Sequence, residues 1–373
     1  MEILISILIY FLCFSFSLTA CVLYQDRCKN LNHQNISIIE KVFWFLSIII
    51  APVLISTIRY NVGTDYFSYV SIFRDVNCHD LKLALKLYGK EPFFLFLNKL
   101  AFLLFHNEIG VFFLSSFLIH LFIIWGIDYF KSYISMPLAL FIYYSVHFIF
   151  GLNGIRQMIA ISIIFFGLRF IYQKKLWFYV LSVITATMFH NTAIFCIVFY
   201  FMVYEHNIKI YRLKKTIYYI AILFSPILLM YGIKLASKIP FFNHYLHYAK
   251  QDVDLGLGFL LEIAPVIFPF FVYKKSIIDR NKYFEPIILL SLLNLPFQYV
   301  GYFINWGSRL VLYTNSIYYI LVPLVINSVK NSKNKILLFV YYIMIFSLYF
   351  IITFVIKNYH EAFPYITIFE KNI

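Results

Sequence analysis

Apolar residues in this chain neither alternate with polar ones, as in a half-buried strand, nor line one stripe of an amphipathic helix. They come in long unbroken runs, at roughly residues 3–24, 42–58, 109–128, 135–150, 155–172, 217–234, 257–273, 286–303, 310–327 and 336–356. A helix needs about 17–25 apolar residues to cross the hydrocarbon core of a bilayer, and most of these runs have that length. Two further apolar segments break the pattern. Residues 92–106 are short, open with Glu91-Pro92 and close at His106. Residues 176–204 are too long for one crossing helix and too short for two, with His190-Asn191 at their middle. The pattern predicts an all-α polytopic membrane protein, a single membrane domain over 1–373 with about ten to twelve transmembrane or re-entrant segments. Its longer loops fall at 59–91 and 235–256.

Composition agrees. Of 373 residues, 62% are hydrophobic and 13% charged, about half the charged share of an ordinary soluble domain, so no polar shell is available. The first apolar run follows Met1-Glu2 with no Lys or Arg before it. That argues for a retained first helix over a cleaved signal, although Leu18-Thr19-Ala20-Cys21 resembles a lipoprotein cleavage box. The net charge of +14 does not indicate nucleic acid, because the basic residues lie between apolar runs and not on aromatic-rich polar segments. The five cysteines have no metal-type spacing and require no disulfide.

Lys and Arg set the orientation. Arg27, Lys29, Lys41, Lys131, Arg169, Lys174-Lys175, the Lys209–Lys215 cluster, Lys274–Lys282 and Lys330–Lys335 are placed inside, which puts the N-terminus outside. This layout makes two structural demands. Residues 92–128 must cross only once, so 92–106 should be re-entrant or interfacial. Residues 176–204 must go up and return, with a break near His190. Irregular backbone at such depth is tolerated where it is buried or lines a wet cavity, so both anomalies point to one outward-facing cavity.

Charged groups at membrane depth are costly and are therefore functional candidates. Arg59, Asp65, Glu91, Arg156, His190 and Arg309 all fall at the outer ends of their segments. In the run Arg59 to Tyr69, Gly63 permits close backbone approach, Asp65 offers a carboxylate, and Tyr66 and Tyr69 offer aromatic faces with a hydroxyl. The competing reading of that run is a helix end with an interfacial aromatic belt. Asn153-Gly154-Ile155-Arg156-Gln157 opens an apolar helix, where free N–H groups and a guanidinium fork together suit a phosphate or pyrophosphate. Against this stands an Arg156 that merely snorkels to the interface. His190 is either a hydrogen-bonded core residue or a functional group at the required break. Arg309, with Tyr313 one turn later, is either a second anion contact or an anchor.

Other motifs carry less. Asp252-Val253-Asp254 resembles the carboxylate pair of nucleotide-sugar enzymes but lies in an expected outer loop, where nucleotide sugars are absent. His244 and His247 have helical spacing, yet an amphipathic loop accounts for them. No phosphate-cradling glycine loop occurs. The 44 Phe and 32 Tyr are explained mainly by lipid-facing and belt positions.

The ordered set of Arg59 to Tyr69 with Gly63-Thr64-Asp65-Tyr66, Glu91-Pro92-Phe93, Gly154-Ile155-Arg156-Gln157, Phe189-His190 and Ser308-Arg309 resembles the EpsG-like family. These are Wzy-type polymerases of O-antigen, capsule and exopolysaccharide. The resemblance spans about residues 40–330; the tail after Lys335 carries no recognised motif. It implies glycosyl transfer on the outer face of a bacterial inner membrane, from a glycan on a polyprenyl pyrophosphate to a second lipid-linked repeat unit. It implies no metal or cofactor, no nucleic acid, membrane lipid as surroundings, and a separate flippase and chain-length regulator as working partners. Under this reading Arg156, with Arg59 or Arg309, would hold the pyrophosphate, and Asp65, Glu91 or His190 would take the hydroxyl proton. Gly63, Tyr66, Tyr69, Asn153, Gln157 and Tyr313 would contact substrate. The rivals are a lipid-linked oligosaccharide flippase or transporter and a polysaccharide O-acyltransferase with His190 as base.

Overall fold

The computed structural model describes residues 2–30, 36–88, 90–203, 216–221, 224, 231, 264–265, 285–303 and 308–370. The expected spans 217–234 and 257–273, the loop 235–256 with its histidines and aspartates, and Asn305 to Gly307 lie wholly or largely outside them. The described chain is helical, and its one β-bridge joins Arg59 to Thr367.

Among the described residues six helices are long and apolar enough to cross a membrane: α1 (Glu2–Asn30), α2 (Ile38–Ile58), α6 (Ile109–Tyr129), α7 (Met136–Asn153), α8 (Ile155–Tyr172) and α15 (Ser332–Ile356). A seventh span is the pair α13 (Ser308–Asn315) and α14 (Tyr318–Ser328), bent by 42° at its junction. The chain is a multi-pass membrane protein. In α7 and α8, 83% of the most apolar window is buried, against 28% in α1, α2 and α15, so α7 and α8 form the centre. Their mean hydropathy agrees, being lower than in α1, α2 and α15: helices surrounded by protein can carry polar residues that a lipid-facing helix cannot. α8 packs between α6 and α9 (Leu176–Phe189), α6 lies on α2, α2 on α1, and α1 and α14 on α7. A π-helical turn at Tyr144–Phe148 interrupts α7. Within it, buried His147 bonds the Leu312 carbonyl at 3.0 Å and the Tyr319 hydroxyl, fastening α7 to α13 and α14.

The two anomalous segments take the expected shapes. After α3 (Tyr66–Cys78) and α4 (Leu81–Tyr88), α5 (Pro92–Phe105) has 14 residues, about 21 Å at 1.5 Å per residue, well short of the roughly 30 Å hydrocarbon core. Its start meets the first turn of α8 through Glu91 and Arg156. Its last residue, Phe105, packs on Gly110 in the first turn of α6. Both ends therefore lie at the same end of the bundle, and α5 does not cross. After α9 the chain turns at His190, whose backbone is extended (φ −155°, ψ 120°), and returns as a 3-10 stretch, Asn191–Cys196, leading into α10 (Ile197–Val203). The Tyr179 hydroxyl donates to the Cys196 carbonyl at 2.6 Å and the Tyr179 ring stacks on Tyr200, so the two arms run side by side. Residues 286–303, expected as one span, form α11 (Glu285–Leu292) and α12 (Asn294–Phe303) with a turn between them.

The end of the bundle opposite Arg156 is not bare of buried charge. Asp128, at the end of α6, is 5% exposed. Its carboxylate receives Lys41 from the start of α2, Lys131 at 2.9 Å and the Tyr24 hydroxyl at 2.7 Å. A buried carboxylate is tolerated when cations and donors compensate it in this way. Asp128 was not among the residues singled out by position along the sequence.

Candidate active site

Three breaks in regular helix create the site. Gly154 (φ −85°, ψ 53°) leaves helical geometry between α7 and α8, and a Cβ there would lie 2.4 Å from the Phe150 ring. Arg156 is thus the second residue of α8, in a first turn whose N–H groups have no intrahelical acceptor. Pro92 opens α5 with its ring at a position that needs no N–H, leaving Glu91 as the residue before it. The turn at His190 ends α9.

These breaks bring Glu91, Arg156 and His190 together. One oxygen of the Glu91 carboxylate, Oε2, accepts from Arg156 Nη1, and Oε1 pairs with His190 Nδ1 at 2.7 Å. The Glu91 side chain is 9% exposed, that of His190 11% and that of Arg156 39%, so the guanidinium forms the open side of the cluster. Burial pushes the Glu91 carboxyl up, but the His190 hydrogen bond and the Arg156 charge outweigh it and hold it below the ordinary carboxylate value. Toward an ionised Glu91 carboxylate His190 can only donate, so Nδ1 carries a proton, and in the neutral form of the ring the lone pair lies on Nε2. That nitrogen is buried and has no hydrogen-bond partner among the described residues. The cluster thus combines an oriented imidazole able to accept a proton with a guanidinium that retains donors for an anion. Tyr69, 3% exposed, lies with its hydroxyl against Arg156, and the Phe94 ring sits 5.7 Å from the guanidinium.

A second group adjoins it. Asn153, the last residue of α7, accepts at Oδ1 from Thr64 Oγ1 and from the backbone N–H of Asp65, both at 2.8 Å. The Asp65 carboxylate itself is exposed and makes no ion pair among the described residues; it does not join Glu91 and His190. Gly63 has φ +95°, and a Cβ there would be 3.1 Å from the Leu152 carbonyl oxygen. Only glycine accommodates both that backbone and that approach.

The remaining candidates are dispersed. Arg59 is 1% exposed, stacked at 4.8 Å on Phe112, and borders a small cavity with Ser115, Ser116 and His120. Among the described residues it makes no hydrogen bond or ion pair with Glu91 or His190, and Tyr69 lies near both Arg59 and Arg156. Tyr66 stacks on the same Phe112 at 4.9 Å and belongs to the packing. Gln157 donates to the Arg309 carbonyl at 2.8 Å, which fixes α13 beside the first turn of α8, while the Arg309 side chain is exposed. Tyr313 is buried, with its hydroxyl 3.2 Å from Thr192 Oγ1 in the returning arm. Among the described residues no three His, Cys, Asp or Glu side chains gather as metal ligands.

Position along the sequence did not single out the C-terminal segment, yet it reaches this site. His360 Nδ1 accepts from Asn153 Nδ2 at 2.9 Å, the Glu361 carbonyl accepts from the Gly63 N–H at 3.2 Å, and the Ile366 carbonyl from the Tyr60 N–H at 2.8 Å. The only sequence signal was a cluster of polar residues, Lys357 to Glu361, directly after an apolar run.

A family model, that of the EpsG family, matches residues 42–367. The match starts within α2 and ends at the residue that bridges Arg59, so it includes Glu91, Arg156, His190 and the C-terminal segment. No curated protein and no solved structure gives a significant match.

Proposed function

We propose that this chain, which belongs to the EpsG family and so has a role of the polysaccharide-polymerase type, joins oligosaccharide repeat units carried on polyprenyl pyrophosphate at the outer face of a bacterial inner membrane. The observation that carries the reading is the Glu91–His190 pair set beside a partly exposed Arg156. Glycosyl transfer of this kind needs a base and a cation close together. A sugar hydroxyl of the acceptor attacks the anomeric carbon of the donor glycan, forming a C–O bond. The bond from that carbon to the pyrophosphate oxygen breaks, and the lipid pyrophosphate leaves with the electron pair.

In this account Glu91 holds the imidazole with Nδ1–H directed at its carboxylate, and His190 Nε2 receives the hydroxyl proton. Arg156 stabilises the charge growing on the pyrophosphate, as a fixed cation in a water-poor site does most effectively. Arg309, exposed on the helix that Gln157 fixes beside α8, supplies a second cation. Arg59 is too deeply buried to meet the same group and serves the packing of the motif loop. Asp65 lines the approach with its carboxylate open to sugar hydroxyls, and the buried Tyr69 steadies the Arg156 guanidinium. No cofactor takes part. Repeat units arrive through a separate flippase, and a separate regulator sets chain length.

The test is a gel of surface glycolipid or polysaccharide from a deletion strain complemented with wild type or Arg156→Ala. Single capped repeat units in the deletion, with a ladder restored by wild type only, support the reading. Loss of all surface repeat units with lipid-linked units held inside would make the protein a flippase. An unchanged ladder lacking acyl groups would make it an acyltransferase.

A further inference from the structure

We propose that the C-terminal segment 358–367 is a working part of the site and that His360 is a positioning residue, setting the loop that presents Asp65 by holding the Asn153 amide. The inference deepens the polymerase reading and rests on it for the meaning of activity, though not for its structural half.

The Asn153 side chain has one orientation in which all its contacts are satisfied. Its Oδ1 takes two donors, Thr64 Oγ1 and Asp65 N–H, so its Nδ2 must face an acceptor. His360 Nδ1 is that acceptor. A flipped Asn153 would aim an N–H group at the Asp65 N–H and lose that hydrogen bond. Burial pushes the His360 ring down to about 4, so at neutral pH it is uncharged, and facing the Asn153 amide N–H it takes the tautomer with its lone pair on Nδ1. Phe150, Phe354 and Tyr359 surround the ring at 4.5 to 6.4 Å and leave it little rotational freedom.

The backbone of the segment is held just as firmly. Asn358 clasps Phe363 through both side-chain atoms, at 2.6 and 3.1 Å. Tyr10 from α1 donates to the Ala362 carbonyl, and the Tyr365 N–H donates to Ser6. Asn358, His360 and Glu361 all have positive φ (45°, 75° and 50°), a region that residues other than glycine adopt rarely. The tail is therefore bent against its local preference, and the bend delivers His360 to Asn153, the Glu361 carbonyl to Gly63 and the Ile366 carbonyl to Tyr60. Every residue from Arg59 to Asp65 that this segment grips directly or through Asn153 belongs to the motif loop. The family match runs on to Thr367, past the last helix, as it should if the tail is part of the common machinery.

The experiment compares His360→Ala, His360→Leu and His360→Asn by ladder formation in the deletion strain and by amide hydrogen exchange of the purified protein. Asparagine places its Oδ1 close to where the imidazole Nδ1 lies and tolerates positive φ, so it restores the acceptor; leucine fills the space without one. The expected result is ladder output at least tenfold lower in Ala and Leu, near wild type in Asn. Exchange at residues 63–66 should rise at least tenfold in Ala and Leu, and little in Asn. If Ala does not accumulate, the Leu and Asn pair decides alone. Unchanged exchange at 63–66 in Leu overturns the positioning role. Raised exchange with a full ladder overturns its importance to the reaction. If the polymerase reading itself is wrong, wild type restores no ladder, and the exchange comparison still judges the contact.

Discussion

Replacing Glu91 by glutamine keeps the shape of the side chain and removes its charge, which isolates what the carboxylate does for its two neighbours. Glu91 is 8% exposed and accepts one bond from Arg156 and one from His190. A hydrogen bond to a charged group is worth about 1.5–3 kcal/mol and a neutral one about 0.5–1.5 kcal/mol, so each bond loses roughly 1 kcal/mol or more. Arg156, with 39% of its side chain in contact with solvent, recovers part of its share from water. The stability loss is then roughly 1–3 kcal/mol, visible as a lower melting temperature in detergent. The chemical consequence is larger. A glutamine that turns its N–H group to His190 forces Nδ1 to accept, which moves the ring proton to Nε2 and blocks the nitrogen assigned as base. General-base catalysis is typically worth about 10²–10⁴-fold, so polymer output should fall by about a hundredfold or more at equal protein level. Acid offers a cross-check. The Glu91 carboxyl is held below its unfolded value, which is about 4.3; its contribution is fully present above that pH and is lost as pH falls through the folded value. The melting difference between wild type and Glu91→Gln should therefore shrink below about pH 4. A Glu91→Gln protein with wild-type ladder and wild-type melting would refute the reasoning.

Other perturbations reach the rest of the account. Gly63→Ala forces a side chain onto φ +95° and toward the Leu152 carbonyl; a strain of about 1–3 kcal/mol should distort the motif loop and reduce the ladder with little loss of membrane-inserted protein, checked by blotting. Asp128→Asn leaves Lys41 and Lys131 facing each other without their carboxylate and should cost about 2–4 kcal/mol, lowering the melting temperature while sparing ladder output per molecule. Cysteines placed at Thr64 and Lys131 in a chain otherwise free of accessible thiols should label from opposite sides of the membrane with an impermeant maleimide, the first from outside. Labelling of both from one side would overturn the orientation.

The sequence made the architecture legible because a bilayer imposes a strict length on apolar runs, and the breaks in that pattern proved as informative as the pattern. Segment 92–106 could be read as re-entrant or interfacial from its length and the charges around it, and α5 indeed begins and ends at one end of the bundle. Glu91, Arg156 and His190 stood out for a physical reason, since each is expensive at such a depth unless something answers it, and they answer one another. What could not be read was which costly residues meet. Arg59 carries the same signature as Arg156, yet it turns into the core beneath Phe112. Asp128 looked like an ordinary helix-end acid, because its partner Lys41 lies 87 residues away in sequence. The tail was invisible for the same reason: His360 meets Asn153 across 207 residues, through a bend at positive φ that local propensity argues against.

The most direct test of the central claim uses purified protein in lipid, given polyprenyl-pyrophosphate-linked repeat units and nothing else. The account predicts that free polyprenyl pyrophosphate appears in step with new glycosidic bonds, one for each bond formed, and that Arg156→Ala abolishes both. Polymer formed by the Arg156→Ala protein at the wild-type rate, or no lipid pyrophosphate released by a wild-type preparation that restores the ladder in cells, would contradict it.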